Sequence, residues 1–378
     1  MQKVYFDNAA TTPINQEVIE IVAQTMNSIY GNPSSTHQFG RSAKTLVEKS
    51  RKSIAKLLNC SASEIVFTAG GSEADNLILF NAVKNLNVKR IISTKIEHHA
   101  ILHTLNSLEK EYSIQIDYVD VNEKGEIDLE HLITILENSE VKTLVSLMQV
   151  NNEIGNILDV DKVISICKDQ NALFHSDTVQ GLTHLKIDLQ KSPIDFIAAS
   201  AHKFHGPKGV GFAVIKKGFG IQPILHGGEQ ERGARAGTEN THSIVGMEMA
   251  LNIATKNYEK DKVYIINLKQ YFIEQLQNNF ENIQFNGLSN DLDKSAYHIL
   301  NVRFEKEIPM LLFNLDLKSI AASGGSACQS GSNKGSHVLN AILNEDEAKK
   351  TSVRFSFSIY NTKNEVDYVI EALKSIIN

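Results

Sequence analysis

The chain has 378 residues, enough for roughly two domains and too many for one ordinary core. Its 38 Lys plus Arg against 44 Asp plus Glu leave a net charge of −6, which argues against nucleic acid as the main partner, because that role needs a concentrated basic face. No apolar run reaches the roughly 18 residues a membrane span needs, and the start, Met1-Gln-Lys-Val-Tyr-Phe-Asp7, lacks the basic and apolar regions of a secretory signal. A cytoplasmic protein without a membrane anchor is therefore expected.

In chain order, the stretch 41–58 places Ala43, Leu46, Val47, Ile54, Leu57 and Leu58 on one helical face. Short apolar runs follow at 64–68, 90–93, 114–119, 143–147 and 172–175, with helix-period segments at 99–110, 128–138 and 159–170 between several of them. That alternation predicts βαβ units, hence an α/β fold with a mostly parallel, mixed sheet flanked by helices. The runs 195–200 and 210–215 leave no room for a helix between them, so the second is expected to run antiparallel. Beyond a long helical region at 241–280 the pattern changes to α+β, with strands near 298–304, 319–323 and 352–358 and helices near 336–344 and 364–376. A large domain over 13–255 and a smaller one formed by 1–12 with 256–378 are expected.

Four clusters carry chemistry. Lys203 sits in Ser200-Ala-His202-Lys203-Phe-His-Gly-Pro, at the end of an apolar strand and before a Gly/Pro turn. A solitary lysine there is ordinarily a surface residue, but partial burial would make its amine a nucleophile able to form a Schiff base. Asp177, in His175-Ser-Asp177-Thr-Val-Gln180, falls at the carboxyl end of another strand, where open α/β sheets bind ligands. It is either a helix N-cap or the carboxylate that keeps a pyridoxal phosphate (PLP) ring protonated, with Gln180 near the ring's phenolic oxygen. Gly70-Gly71-Ser72 follows a strand and opens a helix, an arrangement that suits a phosphate as well as a plain tight turn. Glu97-His98-His99 offers an imidazole to stack on a ring in a chain that has no tryptophan.

Cys60, Cys167 and Cys328 are too few and too irregularly spaced for a disulfide framework or a C-x-x-C zinc site. Cys167 lies inside a predicted helix and Cys60 beside a helix end, as structural cysteines do. Cys328 stands in Ser323-Gly-Gly-Ser-Ala-Cys328-Gln-Ser-Gly-Ser-Asn-Lys-Gly-Ser-His, a Gly/Ser-rich run that has little with which to build a core. A thiol there is free to visit a substrate and then an acceptor.

In this order the clusters resemble the fold-type I PLP enzymes of the class V aminotransferase group, and within it the cysteine desulfurases of NifS/IscS type. Matching runs extend along nearly the whole chain: Asp7-Asn-Ala-Ala-Thr-Thr-Pro13, Tyr30-Gly-Asn-Pro-Ser-Ser-Thr-His37, Asn151-Asn152-Glu-Ile-Gly155, His226-Gly-Gly-Glu-Gln-Glu-Arg-Gly233 and Arg235-Ala-Gly-Thr238. The resemblance implies that Lys203 carries PLP as a Schiff base, Asp177 pairs with the pyridine nitrogen and His98 stacks on the ring. It implies that Gln180 and Asn152 surround the phenolic oxygen, and that Gly71, Ser72, Ser200 and His202 cradle the phosphate. Thr238 would reach the phosphate of a second subunit, making a homodimer. Arg354, with Asn152, would hold the carboxylate of L-cysteine, and Cys328 would take its sulfur as a persulfide, leaving L-alanine.

The sulfur would then pass to an acceptor protein, such as the scaffold of iron–sulfur cluster assembly or another thio-cofactor pathway. Ser72 stands where threonine is commoner, and Gln329 and Ser358-Ile-Tyr360 depart from the IscS branch, which leaves the subfamily open. Three alternatives stay open at this point. A selenocysteine lyase would use the same constellation. A class V aminotransferase would have no use for Cys328, and a non-catalytic sulfur carrier would not need Lys203, Asp177 and Arg354.

Overall fold

The computed structural model describes residues 2–137, 140–324 and 335–377. Cys328 therefore lies outside the described residues. The centre of the fold is a seven-stranded sheet in the spatial order Ile65–Thr68, Gly211–Ile215, Phe196–Ser200, Leu173–Asp177, Thr143–Ser146, Arg90–Ser93 and Gln115–Tyr118. Five neighbouring strands run parallel, while Gly211–Ile215 is antiparallel to both of its neighbours. The expected mixed sheet and its reversed strand are thus present.

The sheet is covered on both faces, which is why its strands read as continuous apolar runs. Along Phe196–Ser200, Phe196 and Ala198 pack with Leu77, Ile78 and Leu105 on one side, while Ile197 and Ala199 pack with Val47, Ile54 and Val163 on the other. The first set comes from helices Gly71–Lys84 and His99–Tyr112, the second from Gln38–Leu58 and Val160–Asp169. Strand Gln115–Tyr118, at the sheet edge, is only partly buried and correspondingly polar.

The C-terminal region builds a separate core. Strands Ser352–Ser356, Ile299–Arg303 and Gln284–Phe285 form an antiparallel sheet. The expected strand near 319–323 does not join it. Ile320–Ala321 instead pairs in parallel with Val4–Tyr5, so the N-terminal segment supplies its partner. Phe6 packs on Phe272, Phe355 and Phe357 in the same core, which the helix Lys363–Ile377 covers with Val366 and Val369. The 39-residue helix Thr241–Asn279 ties the halves together, burying Met247 and Leu251 in one core and Leu268 and Phe272 in the other. Helix Gln16–Ser28, capped by Asn15, packs against that long helix and has no counterpart among the expected elements.

Candidate active site

Several chain segments deliver polar side chains to one edge of the large sheet, where its parallel strands end. Leu173–Asp177 ends in Asp177 itself, and the neighbouring strand ends in Ser200 before a single 3-10 turn, Ala201–Lys203. Register pairs Asp177 with Ala198, so Asp177 and the Lys203 turn emerge side by side. His98 caps helix His99–Tyr112, its ring nitrogen accepting from the Ala100 amide. Gly71 and Ser72 open helix Gly71–Lys84, whose N-terminus has no side-chain cap, so its first amides face outward. Arg354 comes from the other core, in the middle of Ser352–Ser356.

These residues line one cavity of about 190 Å³. Gly71, Ser72, His98, Asn152, Asp177, Gln180, Ser200, His202, Lys203 and Arg354 all line it. Thr238 does not line it and is exposed; nearby Arg235 is held by Glu73.

Lysine 203 donates to the carbonyl oxygens of Ala9 at 2.6 Å and Ala10 at 2.9 Å, so the N-terminal segment forms one wall. Asp177 accepts from the Val179 amide at 2.8 Å. Burial pushes its carboxyl up to about 6, against the opposing pull of that amide and of Lys203. Asp75 also lines the cavity, and burial, followed by the charges of Asp177 and Glu97, holds it well above the ordinary aspartate range. It lies 3.4 Å from Nε2 of His175, which burial pushes down to about 3. Of the two carboxyls, Asp177 is the one drawn toward its charged form by an amide and by the Lys203 charge, which suits it to meet a cation. Burial, then the Lys203 charge, pushes both His98 and His202 down to about 4, so both are neutral at physiological pH.

Arg354 is 1% exposed and donates from one Nη to the Asn152 carbonyl at 2.8 Å and from the other to Asp7 at 2.9 Å. Its Nε is buried without a hydrogen-bond partner. A buried guanidinium lining a cavity suits an anionic group. The two thiols read as structural behave so: Cys167 is buried, Cys60 is half-buried, and burial pushes both up to about 12.

The donor set fits PLP. A Cβ on Gly71 would come within 2.6 Å of Val179 Cγ2, so the helix start can approach the sheet only as glycine. That close approach aims uncapped amides, with Ser72, Ser200 and His202, at an anion. Asp177 would take a pyridinium nitrogen, Lys203 an aldehyde carbon, and the neutral His98 ring one face of the heterocycle. Sequence reasoning had assigned no role to Asp75, Asp7, Ala9 or Ala10. Asp75 carried a usable signal, standing one helical turn after Gly71 and Ser72 on the same face. The roles of the two alanines rest on backbone carbonyls, which leave no trace in residue type.

Fold and site together define a fold-type I PLP-dependent enzyme. Residues 4–369 match the family model described as aminotransferase class-V. The chain is 37% identical to "Cysteine desulfurase IscS" of Dictyoglomus turgidum, over 100% of this chain and 95% of that protein. It is 40% identical to "Cysteine desulfurase IscS" of Clostridium botulinum strain Hall, over 100% and 94%. A solved structure described as a NifS-like protein superposes with a TM-score of 0.91 at 35% identity, over 100% of this chain and 99% of the other. The chain belongs to the class V aminotransferase family and, within it, to the cysteine desulfurases of NifS/IscS type.

Proposed function

We propose that this desulfurase converts L-cysteine to L-alanine and carries the sulfur as a persulfide on Cys328. The observation that carries the reading is the convergence of Lys203, Asp177, the Gly71–Ser72 helix start and Arg354 on one cavity, from elements far apart in sequence. Arg354 and Asn152 hold the substrate carboxylate. His98 excludes water from one face of the ring site. Lys203 would hold the cofactor covalently, and its amine, when free, would serve as the base that moves the α-proton. When bound, PLP supplies the electron sink that makes the substrate's Cα and Cβ reactive. The Cys328 thiolate then attacks the substrate sulfur: an S–S bond forms, the Cβ–S bond breaks, and the electron pair stays with the carbon to be protonated as alanine.

Three further parts belong to the same reading. A homodimer would let Thr238, which is exposed and does not line its own chain's cavity, reach the cavity of another copy. Division into 13–255 and 1–12 with 256–378 is supported by the two separate cores. A sulfur-acceptor protein such as an iron–sulfur scaffold is in keeping with the relatives' printed name, and a cytoplasmic location belongs to the same reading. Among the described residues no helix is long and apolar enough to cross a membrane.

The test is incubation of the purified holoenzyme with cysteine, quantifying alanine while mass spectrometry locates added sulfur. Alanine with one extra sulfur on the Cys328 peptide is the expected result, and Cys328→Ala should keep its cofactor yet release no sulfide. Normal sulfide release by that variant would remove Cys328 from the mechanism.

A further inference from the structure

We propose that His298 is a positioning residue that locks the Gln180 side-chain amide so that an N–H, not the carbonyl, faces the cofactor cavity. The inference rests on the reading of Gln180 as a partner of the cofactor's phenolic oxygen. The Gln180 Nε2 donates to the Ala9 carbonyl at 2.8 Å. A backbone carbonyl can only accept, so the NH2 end is fixed there. The amide oxygen is then the atom 3.2 Å from His298 Nε2, and that ring nitrogen must carry the proton.

The imidazole is suited to the task. His298 is fully buried, and burial, followed by the charge of neighbouring His184, drives its pKa well below the usual range, so it holds a single proton. With that proton on Nε2, Nδ1 is left as a bare acceptor, and it is buried without a hydrogen-bond partner. Flipping the amide would set NH2 against the His298 N–H and a carbonyl against the Ala9 carbonyl. Both ends would lose their bonds, so the orientation is locked twice over. The second N–H of Gln180 remains for the cavity that the residue lines.

The histidine ring is itself held in place. It stacks on His184 with ring centres 3.6 Å apart and planes 16° apart. His184 hydrogen-bonds the Lys203 backbone and, through Nδ1, meets the Tyr297 hydroxyl at 3.2 Å. His298 stands just before strand Ile299–Arg303 of the C-terminal sheet, whereas Gln180 follows a strand of the large sheet. One imidazole pair thus couples the C-terminal core to Gln180 and to the backbone of Lys203.

The experiment is a spectrophotometric pH titration of the visible band of lysine-bound PLP in the holoenzyme, with cofactor affinity measured in parallel. Loss of a donor to the phenolate makes the adjoining protonated nitrogen harder to deprotonate. His298→Phe, which keeps an aromatic ring on His184, should raise the titration midpoint by about one pH unit and weaken PLP binding several-fold. His298→Gln, which restores an N–H near the Nε2 position, should return both to the parental values. If His298→Phe does not fold, His298→Leu carries the same expectation.

Gln180→Leu separates the two levels of the argument. If it shifts the midpoint while the His298→Phe and His298→Leu variants do not, the positioning role is wrong and the Gln180 reading stands. If Gln180→Leu leaves the spectrum unchanged, the Gln180 reading fails and the inference falls with it.

Discussion

Arg354 donates to Asp7 at 2.9 Å across 347 positions of sequence, and the same Asp7 oxygen accepts from Ser323 at 2.9 Å. One carboxylate thus aligns the guanidinium on the cavity wall and ties down Ser323, the first residue of the Gly/Ser-rich run that holds Cys328. Arg354 reaches the site already oriented, so part of the entropy of fixing it has been lost in folding and not in binding.

Replacing Arg354 by Lys keeps the charge but loses the planar fork. Lysine cannot span the Asn152 carbonyl, Asp7 and a substrate carboxylate together. The KM for cysteine is expected to rise about 10- to 100-fold, the usual weight of a charge-assisted hydrogen bond, with a much smaller change in kcat. Steady-state kinetics decide it, and an unchanged KM would mean that the carboxylate binds elsewhere.

Removal of the Lys203 amine should abolish covalent attachment of the cofactor while leaving the phosphate cradle intact. Lys203→Ala is expected to bind PLP non-covalently and to lose turnover. Borohydride reduction followed by mass spectrometry reads this directly, since only a cofactor joined to a lysine is fixed to the chain. Cofactor trapped on the variant would point to another lysine.

Asp177 makes cofactor stabilisation depend on pH. Its folded value of about 6 lies above the ordinary 3.8, so its contribution to apoenzyme stability is present in acid and is lost as pH rises through about 6. A ring nitrogen that holds its proton against the carboxylate relieves that loss. The gain in melting temperature on adding PLP should therefore be larger at about pH 7.5 than at about pH 5, and Asp177→Asn should flatten the difference. Equal gains in parent and variant at both pH values would show that Asp177 does not meet a cation.

Lysine 269 bears on stability, not catalysis. It is fully buried in the long helix, donating to Ser295 Oγ at 2.9 Å and the Ala296 carbonyl at 3.0 Å, and burial pushes it down to about 7. A depressed lysine costs stability as pH falls from its ordinary value toward that figure. Lys269→Met, which fits a similar volume without a charge, should raise unfolding free energy by about 1 kcal/mol near pH 6 and by less near pH 9. Urea unfolding at the two pH values checks it. A destabilised variant at pH 6 would mean that the two hydrogen bonds outweigh the cost of the buried charge.

Much of this was legible in the chain. The strands of the large sheet read clearly because both faces are buried, and the aspartate and lysine stood out because one ends such a strand and the other follows one by a single turn. The C-terminal part was harder. The partner of Ile320–Ala321 is a two-residue strand at the opposite end of the chain, and no local pattern announces a pairing that distant. The Asp7 to Arg354 bond was hidden in the same way. His298 looked like an ordinary strand-entry residue, since only three-dimensional proximity to Gln180 gives its proton a purpose. Helix Gln16–Ser28 escaped notice because it leaves Ile19 and Met26 exposed, which blurs its apolar stripe.

The pairing of the first residues with the last strands has a consequence for synthesis. Translation delivers Val4, Asp7 and Ala9 first, yet Ile320, Arg354 and Ser356, to which they bond, emerge more than three hundred residues later. During that interval the leader, with Phe6 in it, has no sheet to join, and the wall that receives the Lys203 amine is missing. Large-sheet packing can proceed before residues 352–356 emerge, but the N-terminal wall is fixed only once Ser352–Ser356 has been made and bonds to it. A nascent chain that stops short of Arg354 would hold a nearly finished sheet with no finished site.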